Sequence, residues 1–197
     1  MTLTHVDLSA RQSESAWDLA ELSDVDIQEL VEGIREHGKR IHSLALDVAD
    51  VMKVDLNVIE AIRVGAVIHD IGKLAIPKSV LTKVEPLTDG EWSLIRSHPV
   101  IGEQLLAPYP RYAAGLSVVR HHHERWDGLG YPDGLVADET PIAARIVATC
   151  DAFDAMTTDR IYSPALSVED ACKELLDCAG TQFDPICANV LVELVSS

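Results

Sequence analysis

Seven side chains in this sequence have the chemistry of transition-metal ligands: His37, the adjacent pair His69-Asp70, His98, the adjacent pair His122-His123, and Asp151. Five of the eight histidines fall in that set, so the residue type is concentrated rather than scattered. Imidazole nitrogens mixed with carboxylate oxygens suit borderline divalent ions such as iron, manganese, zinc or nickel, whereas magnesium and calcium take oxygen almost exclusively. Seven ligands are too many for one ion. A single histidine on an apolar helix face is ordinarily a core imidazole satisfied by a hydrogen bond. That account does not extend to seven, because each strongly polar group on an apolar face is costly unless it is paired, hydrogen-bonded or bound to metal.

The elements that must carry these residues are helices. From Ile27 the apolar positions Ile27, Leu30, Val31, Ile34, Ile41, Leu44, Ala45 and Val48 recur at helical spacing, with Ser23 or Asp24 as N-cap, and His37 lies on that stripe. A second helix is expected from about Asn57 to Asp70, opened by Asn57 with Glu60 and closed before Gly72. Thr88 with Glu91 forms a capping box for a third, expected to carry His98 towards its end. The stretch 113–123 predicts another, ending in His122 and His123. Residues 128–140, with three glycines and Pro132, predict a structured loop. Pro141 opens a long helix on which Ala144, Val147, Ala148, Asp151 and Ala155 share a face, and Ser167-Asp170 and Asp184-Pro185 start two closing helices.

Composition agrees with an all-α single domain. The 197 residues include 47% hydrophobic but only 5% aromatic side chains, which points to aliphatic helix packing. Residues 1–22 show no sustained apolar period and are expected to be an N-terminal tail, with the catalytic domain at 23–197. No apolar run approaches the roughly 20 residues of a membrane span, and the start of the chain has no signal-peptide pattern, so a soluble cytoplasmic protein is expected. The net charge of −16 without a basic cluster argues against general nucleic-acid binding. An anionic substrate therefore needs local positive charge, which bound dications supply. Cys150, Cys172, Cys178 and Cys187 lack zinc-knuckle spacing and are expected to be reduced thiols, with Cys150 facing the core.

The ligands sit in longer strings: His37-Gly-Lys-Arg-Ile, His69-Asp70-Ile-Gly-Lys73-Leu-Ala-Ile-Pro77, His98-Pro99-Val-Ile-Gly102, His122-His123-Glu124 running to Gly130-Tyr131-Pro132, then Asp151-Ala-Phe-Asp154 and Asp159-Arg160-Ile-Tyr162. In this order they resemble the HD-GYP family, metal-dependent phosphodiesterases of the HD superfamily that hydrolyse the bacterial messenger cyclic di-GMP. The resemblance covers roughly residues 24–195. It implies a helical-bundle fold and hydrolysis of cyclic di-GMP to linear pGpG, with GMP as a further product, by a hydroxide bridging two metals about 3.5–4 Å apart. The resemblance also favours His37 over His42 as the first ligand, because Arg40 stands where the family carries a basic residue.

Carried over by position, His37, His69, Asp70 and Asp151 would hold one metal and Asp70, His98, His122 and His123 the other, with Asp70 bridging. Iron or manganese is expected, with zinc or nickel as alternatives. The family's third-metal position, an acidic residue one turn before the first histidine, is Gly33 here. Lys73 would stabilise or protonate at the scissile phosphate, Tyr131 would contact or stack on a guanine, and Arg160 and Lys83 would touch substrate. Glu124, Arg125 and Asp127 would brace the loop. Ser163 replaces the usual basic residue after Asp-Arg-Ile-Tyr, which puts one phosphate contact in doubt. Two alternatives remain open at this point: a catalytically weak module that binds cyclic di-GMP or a regulatory protein partner, and a hydrolase for another cyclic dinucleotide.

Overall fold

A computed structural model describes residues 24–159 and 164–196, and the side chains from Glu32 onward within the first helix. The expected tail at 1–22, Arg160 and Ser163 lie outside the described residues. Helices α1 (Asp24–Met52), α2 (Leu56–Ile68), α3 (Lys78–Leu81), α4 (Asp89–Arg96), α5 (His98–Leu106), α6 (Leu116–His121), α7 (Ile142–Thr157), α8 (Val168–Asp177) and α9 (Pro185–Val195) carry the fold. Short 3-10 turns at Ile71–Ala75, Pro110–Gly115 and Ala137–Glu139 join them, and the described residues form no β-sheet, only isolated bridges. The all-α expectation holds. Among the described residues no helix is long and apolar enough to cross a membrane.

Helix α1 packs on α2, α7 and α9, and α7 also meets α2, α6, α8 and α9, so α1 and α7 form the centre of the bundle. Ile41, Ile62, Ile146, Leu175 and Leu191 are fully buried there, with Ala45, Val147 and Ala188 filling between them. Burying one such branched side chain contributes about 1.5–3 kcal/mol. Cys150 lies in this core at 0% exposure, as expected, and all four cysteines are free thiols.

Several boundaries differ from the expectation, each for a local reason. Helix α2 starts before Asn57, because the Asp55 carbonyl already accepts from the amides of Val58 and Ile59, and the Asn57-Glu60 box does not form. The α2 helix ends at Ile68, so His69 is its C-cap and Asp70 opens the next 3-10 turn. The Thr88-Glu91 capping box is present. However, α4 stops at Arg96 and His98 begins α5, where Pro99 fits the first turn because its missing N–H has no helical partner to lose. The 113–123 segment divides into a 3-10 turn and α6, with His122 as C-cap. Ser167 and Asp184 cap α8 and α9 through the amides of Asp170 and Ile186, as their spacing predicts.

Candidate metal centre

The seven expected ligands arrive from five places in the bundle: His37 from the middle of α1, His69 and Asp70 from the break after α2, His98 from the start of α5, His122 and His123 from the end of α6, and Asp151 from the middle of α7. Helix termini and one turn of α1 facing one turn of α7 thus converge. The approach of Asp70 to His98 requires a glycine. At Gly72 a methyl group would fall 1.9 Å from the carbonyl oxygen of His98, so only a residue without Cβ lets the Asp70 turn rest on the first turn of α5.

The donor atoms form two groups that share one carboxylate. In the first, donor atoms of Asp70, His98, His122 and His123 all lie within 4.8 Å of one another; in the second, so do those of His37, His69 and Asp70. Asp151 joins the second through its Oδ1, 3.0 Å from His37 Nε2. The two oxygens of Asp70 divide between the groups: Oδ1 lies 3.3 Å from His98 Nε2 and 3.8 Å from His122 Nε2, and Oδ2 lies 3.6 Å from His69 Nε2. That division is what a carboxylate joining two cations requires.

The far nitrogens of the rings are anchored. Nδ1 of His69 lies 2.9 Å from the Ala66 carbonyl, that of His98 2.7 Å from Ile95 and that of His122 2.9 Å from Val119. A carbonyl only accepts, so Nδ1 carries the proton and the Nε2 lone pair is left to face the centre. Burial favours the same neutral form, pushing His122 down to about 4 and lowering His123 as well. His69 Nε2 and Asp70 Oδ1 are buried and have no hydrogen-bond partner among the described residues. Orphaned acceptors of this kind, converging in one pocket, fit divalent cations.

His37 is held differently, by a residue that the sequence reading passed over. Its Nδ1 lies 2.7 Å from Asp154 Oδ2, and Asp154 also accepts from Arg40 Nε at 2.6 Å and Arg40 Nη2 at 2.9 Å. Burial alone would lower the His37 pKa, but the hydrogen bonds to Asp151 and Asp154 raise it to about 9. The available signal was spacing: Asp154 follows Asp151 by three residues and therefore shares its helix face.

The remaining expected residues take distinct positions. Lys73 reaches the centre, with Nζ 2.7 Å from Asp70 Oδ2. Tyr131 reaches it too, but its ring is stacked on His123, with centroids 4.8 Å apart and planes at 26°, so that ring surface is not free for a base. Lys83 instead lies against the Glu91 carboxylate at 2.7 Å, within the α4 capping box, and no described contact ties it to the ligands. Glu124 braces the loop as expected, accepting from the amides of Asp133 at 2.7 Å and Leu135 at 3.1 Å. Arg125 pairs with Asp127, whose Oδ1 takes the Leu129 amide. Gly130 packs its backbone on Glu124 and Arg125, where a methyl group would fall 2.3 Å from the Arg125 nitrogen.

A family model described as "HD domain" matches residues 26–186. The chain is 39% identical over 156 residues to the "Cyclic di-GMP phosphodiesterase response regulator RpfG" of Xanthomonas campestris pv. campestris, covering 78% of this chain and 41% of that protein. It is 32% identical over 193 residues to the "3'3'-cGAMP-specific phosphodiesterase 2" of Vibrio cholerae, covering 95% of this chain and 36% of that protein. The chain therefore spans about two fifths of the length of these relatives. Among solved structures, "Bd1817, a HDG"Y"P protein from Bdellovibrio bacteriovorus" superimposes with a TM-score of 0.68 at 20% identity, over 90% of this chain and 56% of that one, a likeness of fold.

Proposed function

This chain belongs to the HD domain family, as an HD-GYP protein, and on that premise we propose that it is a metal-dependent phosphodiesterase that hydrolyses cyclic di-GMP to linear pGpG and, by a second cut, to GMP. The observation that carries the reading is the shared carboxylate of Asp70 between two sets of imidazole donors, with buried acceptors that have no hydrogen-bond partner among the described residues. In this proposal the region 23–197 is the catalytic domain. His37, His69, Asp70 and Asp151 hold one ion, and Asp70, His98, His122 and His123 the other; iron or manganese is the first choice. Two bound dications would activate water and polarise the phosphate oxygens.

The side chains then have separate tasks. Asp70 fixes the spacing of the two ligand sets, and the carbonyl-anchored imidazoles keep their lone pairs on the centre without rearrangement. Hydrolysis adds one water oxygen to phosphorus, breaks the bond to the ribose O3′ and puts a proton on that oxygen. Lys73, partly exposed beside Asp70, is placed to meet the phosphate and give or stabilise that proton. Tyr131, held on His123, forms the wall on the loop side. Arg160 remains a proposed substrate contact by its position in the sequence. A cytoplasmic location belongs to this reading, because that is where such a messenger would be degraded.

The test is hydrolysis of cyclic di-GMP by protein loaded anaerobically with ferrous iron or with manganese, followed by chromatography of the products. Turnover to pGpG that Asp70→Ala abolishes is the expected result. No product with iron, manganese, zinc or nickel would refute the proposal. A second reading, hydrolysis of another cyclic dinucleotide, is favoured by the likeness to the Vibrio protein, and the same assay run with 3′3′-cGAMP separates the two.

A further inference from the structure

One basic side chain near this centre, that of Arg96, has no carboxylate of its own among the described residues. Among the described residues, Lys73 is paired with Asp70, Arg40 with Asp154, Arg120 with Glu103 and Asp133, and Arg125 with Asp127. Those charges are largely neutralised where they stand. Arg96, the last residue of α4 and two positions before the ligand His98, is exposed, and its side chain has neither an ion pair nor a hydrogen bond among the described residues. Its contacts are aromatic: the guanidinium carbon lies 5.7 Å from the Trp92 ring centroid, one helical turn back, and 5.8 Å from that of Tyr131. Tyr131 is in turn stacked on the ligand His123. The side chain thus lies against two ring faces beside His98 and His123, and among the described residues no acceptor meets its N–H fork.

We infer that Arg96 anchors the second, non-reacting phosphate of a cyclic dinucleotide whose first phosphate lies at the metal centre. This inference rests on the proposed function. A cyclic dinucleotide carries two phosphodiesters and only one reacts at a time, so the other needs a cation of its own near a chain of net charge −16. A guanidinium fork matches two phosphate oxygens, and the rings that hold it reduce the rotamer freedom lost on binding. Trp92, 46% exposed, extends the same face outward. The sequence reading did not single out Arg96, because an arginine ending a surface helix is ordinarily a solvated charge complementing the helix dipole.

The experiment compares wild-type holoenzyme with Arg96→Ala and Arg96→Lys on cyclic di-GMP, 3′3′-cGAMP and cyclic di-AMP, which share the phosphates and differ in the bases. Loss of one charge-assisted contact should raise KM by about tenfold, leave kcat within about threefold, and do so by the same factor for every substrate turned over. Arg96→Lys should recover part of the loss. A KM increase confined to guanine-containing substrates would overturn the phosphate assignment in favour of base reading. An unchanged KM with reduced kcat and metal content would overturn it too, leaving Arg96 as packing for Tyr131. If the wild type hydrolyses none of the three, the proposed function fails on its own. Calorimetric binding of a hydrolysis-resistant phosphorothioate analogue of cyclic di-GMP then tests Arg96 separately: about tenfold weaker binding by Arg96→Ala supports the assignment, and equal binding refutes it.

Discussion

Replacing Asp154 by alanine should empty one metal site and spare the other. Asp154 accepts from His37 Nδ1 at 2.7 Å and from Arg40 at 2.6 and 2.9 Å, and it belongs to neither of the two donor groups that share Asp70. Burial alone would raise its pKa, yet the hydrogen bonds from His37 and Arg40 bring it down to about 2. The gap from an ordinary carboxyl value near 3.9 corresponds to roughly 2–3 kcal/mol. Arg40 is half-exposed, so solvent screens part of that, and a loss of about 2 kcal/mol in stability is the working figure. Removing an orienting partner of a ligand histidine typically costs about 10–100-fold in metal affinity, a free energy of the same size. Stepwise metal titration against a competing chelator reads this directly. The class of sites built on His37 should weaken by that factor, while the class built on His98, His122 and His123 fills as in the wild type. Asp154→Asn, which keeps an acceptor, should fall between. An affinity of the His37 class unchanged from wild type in Asp154→Ala would refute the claim that this carboxylate holds His37 in place.

Other expectations follow from the same geometry. Asp70→Ala should prevent either ion from binding tightly, seen as loss of metal by elemental analysis with the helical circular dichroism retained, since both ligand sets use this carboxylate. In chelated protein, His37 has its pKa raised to about 9 against an ordinary 6.5. Its contribution, roughly 3 kcal/mol, is therefore complete below pH 6.5 and lost as pH rises through 9, so Tm should drop by about 6–12 °C across that window, whereas metal-loaded protein should be flatter. Glu124→Ala removes the buried carboxylate that accepts from the amides of Asp133 and Leu135 and should destabilise by about 1–3 kcal/mol, with proteolysis of the 128–136 loop as the local readout. Ile146→Ala, in the core and away from the ligands, should cost about 2–5 kcal/mol in denaturant unfolding while metal stoichiometry is unchanged.

What the sequence made legible was whatever residue type and spacing could express. Six of the seven expected ligands, His37, His69, Asp70, His98, His122 and His123, are brought together, and Asp151 meets them through His37. The Thr88-Glu91, Ser167 and Asp184 caps follow from short-range chemistry and are present. Features that depend on partners distant in sequence were not legible. Nothing in the α1 segment reveals that Arg40 and His37 meet the same carboxylate on α7, and nothing in Gly-Tyr-Pro reveals that the Tyr131 ring lies on His123. The α4–α5 boundary shows the limit of local reasoning. Pro99 marks an irregularity equally well at the end of one helix or the start of the next, and packing on the Gly72 turn decides between them.

The contact at Gly72 bears on how the centre could choose its ions. Main chain rests directly on main chain between the Asp70 turn and the head of α5, leaving no rotamer between them to yield. The Asp70 carboxylate and the His98 imidazole are therefore carried on one stiff jaw. The opposite jaw, His37 and Asp151, stands mid-helix on α1 and α7, where a small shear between two long rods changes the gape. Adaptation to a larger or smaller cation would be expected to accumulate along that helix pair, in residues that never touch the ion, and to leave the glycine untouched.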